Sequence, residues 1–232
     1  MAVQQIISPI DGSVVAEREL ASDSVVDAVL AAAQAAQTVW RATAIAERIR
    51  LCEAMIAHLE ASVADIATEI SWQMGRPVRY TPNEILRGAQ ERARYMMSIA
   101  AEELADVSVP PVEGFTKYIE RTPVGTVLIV APWNYPYLTA INSLIPALLA
   151  GNTVIMKHAS QTLLCAERFS EACAAAGFPT GVFQHVHASH SAVERMIQDP
   201  RINFVVFTGS VQGGAAMERA AAGRFIGVGT EL

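Results

Sequence analysis

Five short segments in the second half of this 232-residue chain place polar side chains directly after apolar runs. They are PWNYP from Pro132, KHAS from Lys157, HVHASH from His185, TGSVQGG from Thr208, and the closing GTEL with Glu231. Each follows an apolar, β-branched run. A lysine, Lys157, directly after a buried strand can meet a phosphate or a ribose hydroxyl. The bland alternative is a surface lysine whose stem packs and whose ammonium stays in water. In TGSVQGG, Gly209 and Gly214 flank a turn into a helix, where backbone N–H groups favour an anion and Ser210 adds a hydroxyl. A purely structural turn fits the same residues. Ala215 and Ala216 stand where a nucleotide-triphosphate loop needs Lys and Ser/Thr, so an ATPase reading is poor. Gly227 and Gly229 begin a dinucleotide fingerprint, but Leu232 occupies its third glycine position. Asn134 offers an amide and Glu231 a carboxylate. His185, His187 and His190 invite a metal reading, but no carboxylate or cysteine completes the set nearby in sequence, so no metal is expected.

The elements between these segments place them. GTVLIVA, NTVIMKH, GVFQHV, INFVVFTG and RFIGVGTEL read as strands, near-continuously apolar. They alternate with helices in YLTAINSLIPALLAG, LLCAERFSEACAAAG, AVERMIQ and GGAAMERAAA. That alternation predicts a parallel, doubly wound α/β sheet covered on both faces. In such a sheet ligands bind beyond the carboxyl ends of the strands, which is where the five segments fall. The final strand is expected to be buried, with Glu231 desolvated at its tip and its pKa raised.

The first hundred residues read as helical. SDSVVDAVLAAAQAAQTVWRA has a Ser/Asp start and an alanine-rich body. One amphipathic run places Ile49, Cys52, Met55, Ile56 and Leu59 on one face and ends at a Gly75 cap. A third helix runs from Pro82 to about Leu104. Asp11-Gly12 suggests a hairpin turn, and FTKYIERTPVG an exposed strand. The expected divisions are an N-terminal helical part over 1–108, a strand over 109–124 and a Rossmann-like unit over 125–232.

Composition narrows the classes. With 52% hydrophobic and 17% charged residues the chain has material for a large core. A net charge of −6 argues against nucleic acid or an anionic membrane as a partner. Val124 to Met156 contains no charged residue, yet Pro132, Pro136 and Pro146 interrupt it, so a strand, a turn and a helix fit better than a membrane span. Three unpatterned cysteines, Cys52, Cys165 and Cys173, and no signal-peptide pattern suggest reduced thiols in the cytoplasm.

Together, VGTVLIVAPWNYPYLTAINSLIPALLAGNTVIMKHAS, AGFPTGVFQHV, FTGSVQGG and GTEL, with SPIDGSVV near the start, resemble the NAD(P)-dependent aldehyde dehydrogenase superfamily. The KHAS and GSV segments are most similar to succinate-semialdehyde dehydrogenase-like members. The resemblance covers essentially the whole chain. It implies oxidation of an aldehyde, such as succinate semialdehyde, to a carboxylate, with hydride passed to NAD or NADP. By the same resemblance Asn134 donates to the oxyanion, and Glu231 is the general base. Lys157 meets the adenosine ribose, with Pro132 and Trp133 beside the cofactor. Gly209, Ser210 and Gly214 face the pyrophosphate.

Ser160 stands where the family often has a glutamate for the ribose hydroxyls. NADP is therefore expected to be accepted, with His158 assisting at the 2′-phosphate. FTKYIERTPVG matches part of an oligomerisation element, implying a homo-oligomer for the complete enzyme. The family's nucleophilic cysteine is expected a few dozen residues beyond Glu231, so this chain is expected to be inactive alone. The alternatives are a non-catalytic dinucleotide-binding module and an incomplete copy that needs a second polypeptide.

Overall fold

The structure is a computed structural model that describes residues 2–232. The chain opens on an antiparallel hairpin of β1 (Val3–Ile7) and β2 (Val14–Glu19). Gly12 takes φ +78° in its turn, and the Asp11 carboxylate accepts from Ser13 N at 2.9 Å. Three helices follow: α1 (Asp23–Trp40), α2 (Ile45–Ala61) and α3 (Val63–Met74). Ser22 caps α1 through its side chain, and Gly75 ends α3 at φ +78°. The single long amphipathic run of the sequence is split, because Ser62 takes ψ 9° and breaks the helical repeat. The expected third helix begins as a π-helical turn, Glu84–Ala89, and continues as α4 (Gln90–Glu103).

The exposed strand expected in FTKYIERTPVG shrinks to two residues. β4 (Tyr118–Ile119) pairs with β3 (Val107–Ser108), and both are exposed. The ladder's apolar residues, Val107, Tyr118 and Ile119, are all exposed, and an isolated two-stranded ladder with no packed face is only marginally stable.

Beyond residue 125 strands and helices alternate as expected: β5 (Thr126–Ala131), α5 (Pro136–Leu149), β6 (Thr153–His158), α6 (Leu163–Ala176), β7 (Phe183–His185), α7 (His190–Gln198), β8 (Ile202–Thr208), α8 (Val211–Ala221) and β9 (Gly227–Glu231). The five strands form one parallel sheet in the order β7-β6-β5-β8-β9. Chain order reverses between β5 and β8, which makes their carboxyl ends the switch point of a doubly wound sheet.

The strand side chains alternate between two cores. Val127, Ile129, Val154 and Met156 face a core built with α2, α4, α5 and α6. Leu128, Val130, Ile155 and Val205 face a second core built with α1, α7 and α8. The N-terminal helices therefore form part of the sheet's cover. α1 also pins the entry to β6, since Gln37 donates to Gly151 O at 2.8 Å and accepts from Thr153 N at 2.7 Å. No described helix is long and apolar enough to cross a membrane.

β9 corrects the reading of the final strand. It lies at the sheet edge with β8 as its one neighbour, and both Thr230 and Glu231 are exposed. Near-continuous apolarity describes central strands that pack on both faces, but β9 contains two glycines and one valine in five residues and packs weakly.

Candidate functional site

A cleft of about 790 Å³ lies along the carboxyl ends of β5, β6, β8 and β9. Pro132, Trp133, Asn134, Lys157, Gly209, Ser210 and Glu231 all line it. Ser160 and Gly214 do not. Ser160 is exposed at the start of a 3-10 turn. Gly214 is buried, and its N–H is spent on the first bond of α8, to Ser210 O at 2.9 Å.

Lys157 is the decisive side chain. It is 7% exposed, so the snorkelling alternative fails. Burial alone pulls its pKa below the ordinary lysine value, and no carboxylate offsets that shift. An ammonium held this way opens on the cleft and lacks a counter-charge.

Across from it stands the N-terminus of α8. Ser210 Oγ caps the helix by accepting from Gly213 N at 3.1 Å. That leaves the first two N–H groups, of Val211 and Gln212, without intrahelical partners. Here the backbone favours negative charge.

The glycines have a packing cause as well. A Cβ on Gly209 or Gly213 would stand 2.6 or 2.4 Å from the ring of Phe207. Phe207 itself lines the cleft, so the glycine spacing makes room for an aromatic floor. The sequence left Gly209 open between a phosphate turn and a structural one, and it passed over Gly213 and Phe207, which looks like any other apolar strand residue.

Asn134 sits in the turn after β5. Its Oδ1 accepts from Tyr135 N at 2.9 Å. This bond turns the amide so that its NH2 end is left as a donor. Glu231 Oε2 accepts from the Thr208 hydroxyl at 3.4 Å, and Glu231 O accepts from Gly209 N at 3.0 Å. The burial expected of Glu231 is absent, because β9 is an edge strand.

His158 corrects the expectation of a phosphate contact. It is fully buried, with Nδ1 3.0 Å from Thr162 Oγ1 and Nε2 3.1 Å from Pro136 O. A carbonyl can only accept, so Nε2 carries the proton and Nδ1 accepts from the threonine. Burial pushes the ring's pKa down to about 4, against the bond to Pro136. The ring is neutral and sealed from the cleft.

His158 also sets an acid sensitivity. Its folded pKa of about 4 lies below the unfolded value of 6.5. Between the two, the unfolded chain binds the extra proton, so stability falls as pH drops below about 6.5 and levels off near 4. From pH 7.5 to 5 this group alone is expected to remove about 2 kcal/mol. Urea unfolding at both pH values checks it. His158→Gln should be less stable at pH 7.5 and should lose that share of the pH dependence.

The three cysteines lie elsewhere. All are buried and free, and none lines the cleft. Burial pushes the Cys52 thiol up to about 12 and holds Cys165 and Cys173 well above the ordinary thiol value.

The histidine segment also needs correction, because α6 does bring a carboxylate to it. Ligand atoms of Glu167, His185 and His187 lie within 4.8 Å of one another. Arg18 already fills the cation's role there, with Nε 2.6 Å from Glu167 Oε1 and Nη2 2.9 Å from Oε2. The arrangement is a charged tie between the N-terminal hairpin, α6 and the end of β7. His190 stands apart and lines the cleft.

A buried cation, a free helix N-terminus and an oriented amide thus stand together at the switch point of a parallel sheet, an arrangement suited to an anionic ligand. The aldehyde dehydrogenase family model matches residues 2–232. The chain belongs to the aldehyde dehydrogenase family. Among curated relatives, succinate-semialdehyde dehydrogenase (NADP+) 1 of Mycobacterium tuberculosis is 34% identical over 214 residues, covering 91% of this chain and 46% of the relative. The chain thus spans about half the length of the curated relatives it matches.

Solved structures of the family agree. A putative aldehyde dehydrogenase from Burkholderia cenocepacia superposes with a TM-score of 0.92 at 32% identity, covering 100% of this chain and 47% of that one. A succinic semialdehyde dehydrogenase from Streptococcus pyogenes in complex with NADP+ has a TM-score of 0.92 at 26% identity, covering 99% of this chain and 50% of that one.

Proposed function

We propose that this chain carries the NAD(P)-binding site, the oxyanion donor and the general base of an aldehyde dehydrogenase that acts on succinate semialdehyde or a close relative. The observation that carries the proposal is Lys157, a buried ammonium with no counter-charge, facing a cleft beside a free helix N-terminus. The nucleotide supplies those missing partners. Lys157 binds the adenosine ribose hydroxyls, and the start of α8 receives the pyrophosphate. When bound, the nicotinamide cofactor would supply the hydride acceptor for the oxidation.

This chain's own residues supply two further functions. The Asn134 amide donates to the carbonyl oxygen where negative charge develops. Glu231 takes a proton from the water that releases the acid. Neither side chain requires burial in advance, since the bound nucleotide and substrate exclude water from the cleft.

NADP binds at least as tightly as NAD in this reading. Ser160 puts no carboxylate beside Lys157 to repel a 2′-phosphate, and the similar curated relatives are named for NADP+. The nucleophile is the missing function. With every cysteine buried, protonated and remote from the cleft, this chain binds nucleotide without oxidising aldehyde.

Fluorescence titration with NADP+ and NAD+ tests this, using Trp133 in the cleft as the reporter and Trp133→Phe as the control. Quenching by NADP+ at equal or lower concentration than NAD+ is expected, with no aldehyde-dependent NADPH formation. Absence of quenching by either nucleotide would overturn the site. Quenching by NAD+ alone would overturn the cofactor preference, and turnover by this chain would overturn its inactivity.

A further inference from the structure

The turn that carries Asn134 is exposed at three successive residues, Trp133, Asn134 and Tyr135. A loop tip of that kind normally moves. Here it is held from outside the sheet. Glu84 opens the π-helical turn before α4, and its side chain is 1% exposed. Its Oε1 accepts from Tyr137 N at 2.7 Å and Leu138 N at 3.0 Å. These are orphan donors of the first turn of α5, which has no capping side chain of its own. A carboxylate from another helix therefore caps α5.

Arg76 completes the arrangement. It follows the Gly75 cap of α3, and its side chain is 14% exposed. One guanidinium nitrogen pairs with Glu84 Oε2 and the other donates to Asn134 O. Its central carbon lies 4.7 Å from the centre of the Tyr135 ring. On the far side of the turn, His158 donates to Pro136 O at 3.1 Å. Every residue from Asn134 to Leu138 is thus tied to a charged or buried partner, except through the Asn134 amide nitrogen.

We infer that Arg76 and Glu84 are positioning residues. They fix the turn after β5 so that the Asn134 NH2 group alone stays free and points as a donor into the cleft. The use of that donor rests on the function proposed above, but its fixation does not. The π-helical turn that Glu84 opens accords with the inference, because such turns are rare and frequent at functional sites. A planar guanidinium is also suited to reach two acceptors at once, which a lysine ammonium at the same place cannot match in geometry.

The test separates bridging from simple stability. Arg76→Lys retains a cation for Glu84 but loses the second arm to Asn134 O. With this chain labelled at asparagine and tryptophan nitrogen, the heteronuclear NOE of the Asn134 side-chain amide and the Trp133 indole is measured. Arg76→Lys is expected to leave the melting temperature within a few degrees while the Asn134 and Trp133 signals lose order. Arg76→Met should lower both, with slow amide exchange at Tyr137 and Leu138 lost as Glu84 loosens.

Unchanged Asn134 order in both variants, each still folded, would overturn the inference. A drop in melting temperature for Arg76→Lys as large as for Arg76→Met would also overturn it, by making the arginine merely structural. Titrating the wild-type chain with NADP+ keeps the two proposals apart. If NADP+ fails to bind while the variants behave as expected, the functional reading falls and the positioning stands.

Discussion

Lys157→Met is expected to weaken dinucleotide binding by roughly 10- to 100-fold and to make the folded chain more stable. The first effect follows from losing a charge-assisted hydrogen bond, worth about 1.5–3 kcal/mol in a desolvated setting. The second follows from the same burial. Methionine has the length of the lysine stem and no charge to desolvate, so removing an uncompensated ammonium that is 7% exposed should raise stability by about 1–2 kcal/mol near neutral pH.

The sign with pH follows from the lowered folded pKa. Below that value Lys157 is charged in both states, and the folded form carries the full desolvation cost. As pH rises through it, the folded chain sheds the proton before the unfolded chain does, and wild-type stability rises. The advantage of the variant therefore shrinks at alkaline pH, and wild-type affinity for an anionic nucleotide falls over the same range. Urea unfolding and fluorescence titration at pH 7 and pH 10 read both trends. A variant that binds NADP+ like the wild type, or one that is less stable at pH 7, would remove Lys157 from the site. Opposite movement of stability and affinity separates a binding residue from a packing one, since loss of packing lowers both.

The parts of the site that were legible before the fold share a cause. Strand ends can be found from apolar runs, and a doubly wound sheet brings those ends together, so Asn134, Lys157, Ser210 and Glu231 were placed in one cleft from their positions alone. What stayed hidden was direction and depth. β6 is buried at all six positions, and a strand buried on both faces lacks the polar alternation that would tell which way Lys157 and His158 point. One faces the cleft and the other faces away, so a role in phosphate binding was wrongly extended to the histidine.

Glu231 was expected to be buried because its strand is apolar, but position in the sheet order decides burial and no local pattern encodes it. Arg76 and Glu84 were invisible for another reason. Eight residues apart across the end of one helix and the start of a π-turn, they fit no helical or strand spacing, and their target lies more than fifty residues downstream. The Glu167 carboxylate escaped notice in the same way, since α6 carries it to His187 across twenty residues of chain.

Trp40→Ala tests whether the helical N-terminal part and the sheet unit fold as one. Trp40 is fully buried at the end of α1, and its Nε1 donates to Leu148 O at 3.2 Å. Its ring lies 5.5 Å from that of Phe178. The cluster around it contains Cys52, Met55 and Ile56 from α2 together with Val127 and Ile129 from β5 and Leu144 from α5. Truncation removes a large aromatic from a place where the rigid sheet allows little collapse, so a loss of about 3–5 kcal/mol is expected. The lost hydrogen bond adds little, because Leu148 O also accepts from Gly151 N at 3.0 Å.

The shape of the transition carries the argument. If residues 1–108 formed a separate unit, the variant would melt its helices first and leave the sheet and its Trp133 signal intact. One shared core predicts instead a single transition, shifted equally by far-ultraviolet dichroism and by Trp133 emission. Two separate transitions would show that the boundary near residue 108 is a physical one. Coincident transitions would mean that the helices which hold the Asn134 turn through Arg76 and Glu84 cannot come loose without the cleft coming apart. In that case the N-terminal segment is part of the cleft's scaffold although it contributes no residue to the cleft lining.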